Sequence, residues 1–504
     1  MKRLQIIIAV STGIFLASCS LKTPDFAVSI PDDAIAVVSL HPMQIHSKGQ
    51  LNTFESLKEK VKDEVWSMIL EDPLSSGLML DEYTFLFAKM EEEAPVIGVV
   101  AGMKDMETFE TILEKIKEDI REEFVEMTDY KYVQPDKEGI VAWNEDQMII
   151  LVSPDNDEFE ESYWTSSLDW MFNPVKEESI TSLVDFRDFQ GKMKDINLWM
   201  STDDIMKVVE KLAKDKIQDF PVTFYNNYTH MYCDFANGAV KISGETNFSE
   251  EVQKNIDEVL VMKPALNKDI LAMAPGEDLL LGLAVSMDLE KLKALIEKFS
   301  APELGEVGDK IEETIGVPPD MLLKAFTGDF TLAVNGLEEE GMIPVEIFIG
   351  IGVESDEIQK QMMEKVEGMV PVEEEGDFFV INIQGNEIYS GILNDTWVIT
   401  NMKGYKDAVK DGKLDKSLLD SQFKDFADGS MGMYLNMDLE SYPQMVNDLL
   451  KQKPEQEQWV RKLTEPFDYF GITAGDQKSL MTLKTNKPNE NSLYTILQLT
   501  ESGN

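Results

Sequence analysis

The sequence predicts an α+β protein built from two tandem duplicated domains. Short β-branched runs alternate with amphipathic helical patterns, and several strand patterns come in hairpin-like pairs. One series of landmarks also occurs twice in the same order, roughly 240 residues apart. Paired short strands favour antiparallel sheets, and apolar helix faces need a sheet to pack on. We therefore expect each domain to contain a mainly antiparallel sheet with helices packed on one face.

The first landmark is a strand that follows a proline and acidic residues. Pro31-Asp32-Asp33 leads into the β-branched run 34–40, and Pro275-Gly276-Glu277-Asp278 leads into the apolar run 279–285. Both runs have the composition of buried strands. We predict that they are the equivalent first strands of the two domains.

Further landmarks continue the correspondence along both halves. The runs 82–87 and 328–334 predict a second strand, and each is followed by an acidic turn and a strand that opens with Pro-Val. Apolar residues at helical spacing then predict one amphipathic helix in each half. Its apolar positions are Phe109, Ile112, Leu113 and Ile116 in the first half and Ile358, Met362, Met363 and Val366 in the second.

The middle of each half carries a short aromatic element that precedes another strand. It reads Phe186-Arg187-Asp188-Phe189 in the first half and Phe423-Lys424-Asp425-Phe426 in the second. Residues 154–180 are predicted to form a long acidic connection ahead of the first of these elements. The landmarks predict four segments: a signal peptide 1–18, a lipidated tether 19–29, a first α+β repeat domain 30–262 and a second α+β repeat domain 263–504.

The N-terminus has the parts of a lipoprotein signal. Lys2 and Arg3 provide a positive start, residues 4–15 are mostly apolar, and Leu16-Ala17-Ser18-Cys19 closes the run with small residues and a cysteine. The apolar run is too short for a spanning helix, which needs about 20 residues. We predict cleavage before Cys19 and attachment to a membrane through acyl chains on Cys19. An ordinary cleaved signal with a coincidental cysteine is the alternative.

The residues after Cys19 bear on which membrane surface is involved. Ser20 rather than aspartate follows the cysteine, which favours the outer membrane by similarity to sorting in two-membrane bacteria. The run 20–25 lacks the acidic residues that usually accompany export to the cell surface. We therefore expect an outer-membrane anchor on the periplasmic face rather than the cell surface.

Composition limits the classes of partner and chemistry. The formal net charge is −48, so the surface repels phosphate backbones and nucleic acid is excluded as a partner. Anionic head groups repel it too, so we expect the body to stand off the membrane. The chain has two cysteines, and with Cys19 lipidated only Cys233 remains, which excludes an internal disulfide. We predict a buried structural thiol at Cys233.

Motifs for catalysis and metal binding are absent from the sequence. Its three histidines are His41, His46 and His230, which excludes a His-Glu-x-x-His site; we place His41 and His46 in a surface turn. Cys233 and His230 are three residues apart in one strand pattern and therefore face opposite sides. The run Asp155-Asn156-Asp157-Glu158 has calcium-type ligands without the EF-hand pattern, so we favour a solvated linker over loose cation binding. No catalytic residue, cofactor site or metal site is predicted.

The chain resembles a known family of uncharacterised proteins. The lipobox, the strand entry 31–40, the two Phe-x-Asp-Phe elements and the chain length together look like a Bacteroidetes lipoprotein family, domain of unknown function 4836. Members commonly carry a lysine shortly after the first strand, and Ser47-Lys48-Gly49 is similar. The family has no assigned activity, so the resemblance implies location and architecture.

These observations favour a lipid-anchored cell-envelope protein with a non-enzymatic binding or scaffolding role. The alternative is an envelope protein that binds or hydrolyses glycans or peptides in a cleft between the two halves. The absence of a motif does not exclude a catalytic site formed by distant carboxylates, but the many acidic residues do not themselves favour one. That alternative predicts exposed aromatic side chains beside carboxylates, with Trp164 and Trp170 as candidates. An envelope protein or a glycan is the expected partner.

Overall fold

The computed structural model describes most of the chain between Asp25 and Glu501. The described residues are 25–61, 64–91, 94–120, 123–136, 138–154, 159–205, 207, 227–250, 252–254, 261–299, 319–336, 345–383, 385–409, 412–475 and 477–501. The chain divides into two compact units, one of Met1–Val252 with Lys487–Asn504 and one of Gln253–Asn486. Both combine helices with antiparallel strands, which confirms the predicted α+β class.

The first unit is built on an antiparallel sheet. Its strands are β1 (Ala36–Leu40), β2 (Thr84–Glu91), β3 (Ala94–Gly102), β4 (Val125–Glu126), β5 (Lys131–Asp136), β6 (Gly139–Trp143), β7 (Gln147–Val152), β8 (Ile196–Ser201), β9 (Tyr228–Ala236) and β10 (Ala239–Asn247). Backbone pairing gives the order β4-β5-β6-β7-β3-β2-β1-β8-β9-β10. Every one of these pairings is antiparallel.

The helices of the first unit differ from the sequence prediction at two places. They are α1 (Pro42–Gly49), α2 (Glu55–Lys60), α3 (Glu64–Glu71), α4 (Met106–Ile120), α5 (Glu161–Phe172) and α6 (Val184–Gln190). Helix α5 lies in the predicted connection 154–180, because Trp164, Leu168 and Met171 recur at helical spacing and are all buried. The 3-10 helix Asp25–Ser29 packs into the core through Ala27, so this part of the predicted tether belongs to the folded unit.

Apolar side chains cover both faces of the sheet in the first unit. Successive side chains of a strand point to opposite faces. In β3, Val96 and Val100 accordingly join one hydrophobic cluster, while Val99 and Ala101 join another. Helix α4 contributes to the second cluster and helix α5 to the first. The helices of this unit therefore lie on two faces, whereas the sequence predicts one.

The second unit repeats the strand order of the first. Its strands are β11 (Leu279–Ser286), β12 (Phe326–Gly336), β13 (Val345–Val353), β14 (Val372–Glu375), β15 (Phe378–Ile383), β16 (Asn386–Leu393), β17 (Thr396–Thr400), β18 (Met431–Asn436), β19 (Phe467–Gly475) and β20 (Lys478–Thr485). The order is β14-β15-β16-β17-β13-β12-β11-β18-β19-β20, again antiparallel throughout. Each strand of the second unit thus has a counterpart ten numbers earlier.

The larger core of the second unit includes Phe348, Phe423 and Phe426, and the described residues of this unit form seven helices. They are α7 (Lys268–Met273), α8 (Leu289–Phe299), α9 (Pro319–Ala325), α10 (Glu357–Glu367), α11 (Tyr405–Ala408), α12 (Gln444–Lys451) and α13 (Pro454–Thr464). Within the described residues, none of the helices in either unit is both long and apolar enough to cross a membrane.

The C-terminal helix α14 (Ser492–Glu501) packs in the first unit, although the sequence assigns the stretch 263–504 to the second domain. The Asn491 side chain donates to the backbone oxygen of Phe235 at 2.7 Å. The rings of Tyr494 and Phe54 meet edge to face, with centroids 5.6 Å apart. These contacts are long-range in sequence, which is why local patterns do not predict them.

A lysine–aspartate pair lies at the end of the first strand in each unit. In the first unit, Lys48 Nζ lies 2.6 Å from an oxygen of the buried Asp195, which precedes β8. In the second unit, Lys263 Nζ lies 2.9 Å from Asp329, which lies in β12 and also accepts a hydrogen bond from Ser286. The carboxylate thus precedes β8 in the first unit and lies in β12 in the second, at the same end of the sheet.

Candidate functional site

Two of the sequence predictions fall on residues outside the described part of the chain. They are Cys19 and the acidic run Asp155-Asn156-Asp157-Glu158. Lipidation and loose cation binding by that run therefore stay predictions. Among the described residues, no group of three or more His, Cys, Asp or Glu side chains is placed to hold a metal ion.

The surface turn predicted for His41 and His46 is wrong, because both side chains are buried. Pro42 takes the first position of α1, where its fixed φ and missing N–H are tolerated, so the chain becomes helical at this point. The His41 ring packs on Tyr83 with centroids 4.8 Å apart. His46 Nε2 lies 3.1 Å from the backbone oxygen of Leu70. Both histidines belong to the interior of the first unit.

His230 is fully buried and belongs to a polar network around the half-buried Asp185. Its Nε2 donates to Asp185 Oδ2 at 2.7 Å, because a carboxylate can only accept. Trp199 Nε1 donates to the same oxygen at 2.9 Å, and Asn247 Nδ2 donates to Oδ1 at 2.8 Å. Burial alone raises the pKa of Asp185, but the bonds from His230, Asn247 and Trp199 outweigh it and leave the pKa below its ordinary value. All four side chains are engaged within the fold.

Cys233 lies in the same strand as His230, half-buried and three residues further on. Burial, together with the carboxylates of Asp195 and Asp234, raises the pKa of the Cys233 thiol to about 11. The thiol is therefore protonated at neutral pH and a poor nucleophile. This environment fits a structural cysteine.

The two tryptophans named for glycan binding are not exposed platforms. Trp164 is fully buried in the core of the first unit. Trp170 is half-buried, and its Nε1 donates to Glu178 Oε2 at 2.9 Å. The hydrophobic period of α5 explains this outcome, since Trp164 lies on the helix face that meets the sheet.

A groove of about 750 Å³ lies in the second unit. It is formed by the start of β11, the ends of β12 and β18, the turn at residues 420–422 and the start of α12. We call it the second-unit groove. Its polar and aromatic lining includes Asp278, Asp420, Gln422, Tyr434, Asn436, Glu440, Tyr442 and Gln444. A volume of this size accommodates a small organic ligand or a short oligomer.

Hydrogen bonds hold the polar lining of the second-unit groove in place. The buried Tyr434 donates its hydroxyl to Gln422 Oε1 at 2.6 Å. Tyr442 donates its hydroxyl to the backbone oxygen of Asn436 at 2.8 Å, and Asn436 Nδ2 donates to Ser441 Oγ at 2.9 Å. The lining is therefore preorganised, which lowers the entropy lost when a ligand binds.

The second-unit groove is acidic. Asp278, Asp420 and Glu440 are exposed carboxylates in its lining. Side-chain and backbone hydrogen bonds from Ser417 lower the pKa of Asp420, so it stays ionised. Burial, followed by the nearby Asp468, raises the pKa of Tyr434, so its phenol stays neutral and remains a hydrogen-bond donor. Such a lining binds hydroxyl or ammonium donors and disfavours anions.

The first unit uses the matching position differently. Trp199 and Tyr434 occupy equivalent places in β8 and β18, and their neighbours across the sheet are His230 and Gly471. Trp199 donates to Asp185 as Tyr434 donates to Gln422. In the first unit Asp185 also accepts from the fully buried imidazole of His230, whereas in the second unit Gln422 is exposed in the groove lining.

The sequence does not predict the second-unit groove. Pro275-Gly276 and the helix-capping Asp438 mark element ends, but the groove forms only where those ends meet in the tertiary structure. The pairing of β18 with β11 brings together residues that are more than a hundred positions apart. No local spacing of residue types carries that information.

Comparison with known proteins identifies a family and little else. No curated protein matches the chain. Crystal forms I and III of the protein TP0453 align with TM-scores of 0.26 and 0.27 and 10% identity, covering 50% and 49% of this chain and 90% of theirs. Scores this low support no inference about fold or function. The family model described as Domain of unknown function (DUF4836) matches residues 26–493. Because this match spans nearly the whole chain, the protein belongs to the DUF4836 family.

Proposed function

We propose that this protein is a lipid-anchored cell-envelope protein that binds a neutral glycan in the second-unit groove without hydrolysing it. The observation that carries the binding role is the preorganised lining, in which Tyr434, Gln422 and Asn436 are held by hydrogen bonds around a cavity of about 750 Å³. A hydrogen-bond network that only stabilises the fold does not need to line a cavity. The groove therefore has the form of a ligand site.

The chemistry of the lining favours a neutral, hydroxyl-rich ligand. Carboxylates accept hydrogen bonds from sugar hydroxyls, and amide side chains both donate and accept. The ring of Tyr442 adds an apolar surface on which a sugar face can pack. Anionic ligands are disfavoured by Asp278 and Glu440. A cationic peptide is the second candidate, because the same carboxylates attract lysine and arginine side chains.

A panel of neutral oligosaccharides tests the binding role by titration calorimetry. The variant E440A/Q444A removes two exposed lining side chains, and we expect affinity for the bound sugar to fall about tenfold, the effect of losing one or two hydrogen bonds. The control E367A/Q458A removes the same residue types from exposed helix positions outside the groove. Equal affinity of both variants, or no binding by any sugar, contradicts the proposal.

Hydrolysis is distinguished from binding by the fate of the sugar. A glycosidase needs two carboxyl groups about 5 to 10 Å apart on either side of the scissile bond. We expect the bound oligosaccharide to be recovered intact after long incubation. Release of shorter sugars would favour the hydrolytic alternative and make Asp278, Asp420 and Glu440 its first candidates.

The anchor rests on the lipobox Leu16-Ala17-Ser18-Cys19 behind Lys2 and Arg3. Two or more acyl chains provide stable membrane attachment without a spanning helix, at about 0.8 kcal/mol per buried methylene. We expect metabolic labelling with a fatty acid to mark the wild-type protein in the outer-membrane fraction. Cys19→Ala is expected to abolish the label, and an unchanged label in this variant contradicts the anchor. Protease protection in intact cells then tests the periplasmic face.

A further inference from the structure

Helices α12 and α13 form a hairpin that exposes apolar side chains to solvent. We call residues 444–464 the α12–α13 hairpin. Neither helix contains a buried residue. Its exposed apolar side chains are Met445 (44% exposed), Leu449 (57%), Trp459 (65%) and Leu463 (41%). Tryptophan is rarely left this exposed, because burying its large ring is among the most favourable contributions to folding.

The exposed apolar residues follow helical spacing. Met445 and Leu449 are four residues apart on α12, and Trp459 and Leu463 are four residues apart on α13. Residues at this spacing lie on one face of a helix. Each helix therefore presents an apolar pair outward, the reverse of a helix that packs on a core. A surface of this kind marks an interaction site.

Hydrogen bonds preform the hairpin. Arg461 Nε donates to Glu457 Oε1 at 2.8 Å, and its Nη2 donates to Asn447 Oδ1 of the other helix at 3.2 Å. Asn447 Nδ2 in turn donates to the backbone oxygens of Leu439 and Tyr442. The apolar residues are therefore held outward by a defined helix pair.

The charge of the hairpin differs from that of the whole chain. The chain has 94 acidic and 46 basic residues and a formal charge of −48. Within residues 444–464, four basic residues outnumber three acidic ones. The basic residues are Lys451, Lys453, Arg461 and Lys462, and the acidic ones are Asp448, Glu455 and Glu457. Within the hairpin, Lys451 pairs with Asp448 at 2.8 Å and Arg461 pairs with Glu457 at 2.8 Å, and the net charge is +1. The hairpin therefore lacks the strong negative charge of the rest of the chain, so anionic head groups do not repel it as they repel the rest.

We propose that the α12–α13 hairpin docks on the surface of a phospholipid bilayer that contains anionic lipids. Leucine and tryptophan insert at the boundary of head groups and acyl chains, and lysine and arginine extend toward the head groups. Trp459 has the amphipathic ring that prefers this boundary. The contact is a second one, separate from the acyl chains on Cys19, and it orients the second unit on the membrane.

Vesicle flotation of the chain 20–504 tests the proposal. This chain lacks the apolar run 4–15 and Cys19, so failure here leaves the acyl anchor and the groove unaffected. The probe is a vesicle of phosphatidylethanolamine and phosphatidylglycerol, compared with phosphatidylcholine alone. We expect flotation with the anionic vesicles that weakens in high salt. The variant L449Q/W459Q is expected to bind about tenfold more weakly, since it removes two large apolar side chains from the contact.

The matched control is V184Q/M369Q, which removes two apolar side chains that are 66% and 84% exposed elsewhere. It is expected to float like the wild type.

Tryptophan emission is expected to shift to shorter wavelength on binding, and Trp459→Phe is expected to lose this shift. The four positions changed in the two double variants are all exposed. Thermal unfolding followed by far-ultraviolet circular dichroism is expected to be the same for each variant as for the wild type, which shows that the variants are folded. Absence of flotation, or equal flotation of L449Q/W459Q and the wild type, overturns the proposal. Hairpin-dependent dimers without flotation would instead indicate a second copy as the occupant.

Discussion

At matching places across the sheet, the first unit carries His230 and the second unit carries Gly471. The ring of Phe189 packs on His230 with centroids 5.4 Å apart. The ring of Phe426 lies directly over Gly471, so that an added Cβ would fall 2.1 Å from Phe426 Cζ. Both phenylalanines close a Phe-x-Asp-Phe element. The phenylalanine ring thus packs on an imidazole in the first unit and on a glycine in the second.

The neighbouring hydrogen-bonded pairs differ as well: Trp199 donates to Asp185 in the first unit, and Tyr434 donates to Gln422 in the second. In the first unit, Asp185 accepts from His230, Trp199 and the exposed Asn247, and we expect this network to contribute to stability. In the second unit, Gln422 accepts from Tyr434 and keeps its remaining hydrogen-bonding groups at the groove. We propose that the two units arose by duplication, and that the first kept a structural network where the second opened a site.

The largest expected change in the free energy of unfolding follows from removing the polar network in the first unit. Asp185→Ala leaves the buried donors of His230 and Trp199 without their acceptor, and we expect it to destabilise the first unit by about 3 kcal/mol. Gln422→Ala, the matching change in the second unit, is expected to cost less, about 1 kcal/mol, because it removes a single hydrogen bond and the Tyr434 hydroxyl lines the groove, where water can replace Gln422. Urea unfolding measures both. Similar losses in the two variants would contradict the comparison.

The next largest effect on the free energy of unfolding is expected from the lysine–aspartate pairs. Lys48→Met removes the ammonium partner of the buried Asp195, which keeps one hydrogen bond from the backbone N–H of Phe235, and we expect a loss of about 2 kcal/mol. Lys263→Met is expected to cost about 1 kcal/mol, because Asp329 keeps hydrogen bonds from Ser286 and Thr327. The same urea titration ranks the two. A larger loss for Lys263→Met than for Lys48→Met would show that those hydroxyls do not compensate.

Gly471→Ala sharpens the comparison of the two aromatic elements. The added methyl group overlaps the ring of Phe426, and relief of such overpacking costs about 1 kcal/mol or more. Gly191→Ala is the control, since its nearest neighbour would lie at an ordinary 3.5 Å. Thermal unfolding followed by circular dichroism measures both. A Gly471→Ala melting temperature equal to that of the wild type would mean that the Phe426 ring moves freely.

The smallest expected effect is on pH dependence. Hydrogen bonds, acting against burial, leave the pKa values of Asp185 and Asp329 below their ordinary values. Their stabilisation is therefore complete above the unfolded value of about 3.9 and is lost as pH falls through the folded values. Asp185→Asn and Asp329→Asn are expected to flatten the loss of stability on acidification. Unfolding free energies measured from pH 6 to about pH 3 check this, and unchanged slopes would exclude the contribution.

Local sequence patterns predict the strands well, because strand formation depends mainly on residues that are close together in the sequence. The run 34–40 contains β1, and the run 279–285 covers β11 except for its last residue. The helix positions from Phe109 and from Ile358 lie in α4 and α10. Continuous apolar composition in β6 and β7 also signals burial on both faces. The burial of His41 could not be predicted in the same way, because it depends on Tyr83 across the sheet.

The sequence by itself determined the α+β class, the repeated order of elements, the acidic surface and the family resemblance. Each of these depends on composition or on spacing along the chain. Only the tertiary structure decided that α14 packs in the first unit and that the ends of β11, β12 and β18 meet around a groove. It alone showed that Trp164 is buried while Trp459 is exposed. Both tryptophans lie in helices, and a side chain is buried only where another element packs on its face of the helix.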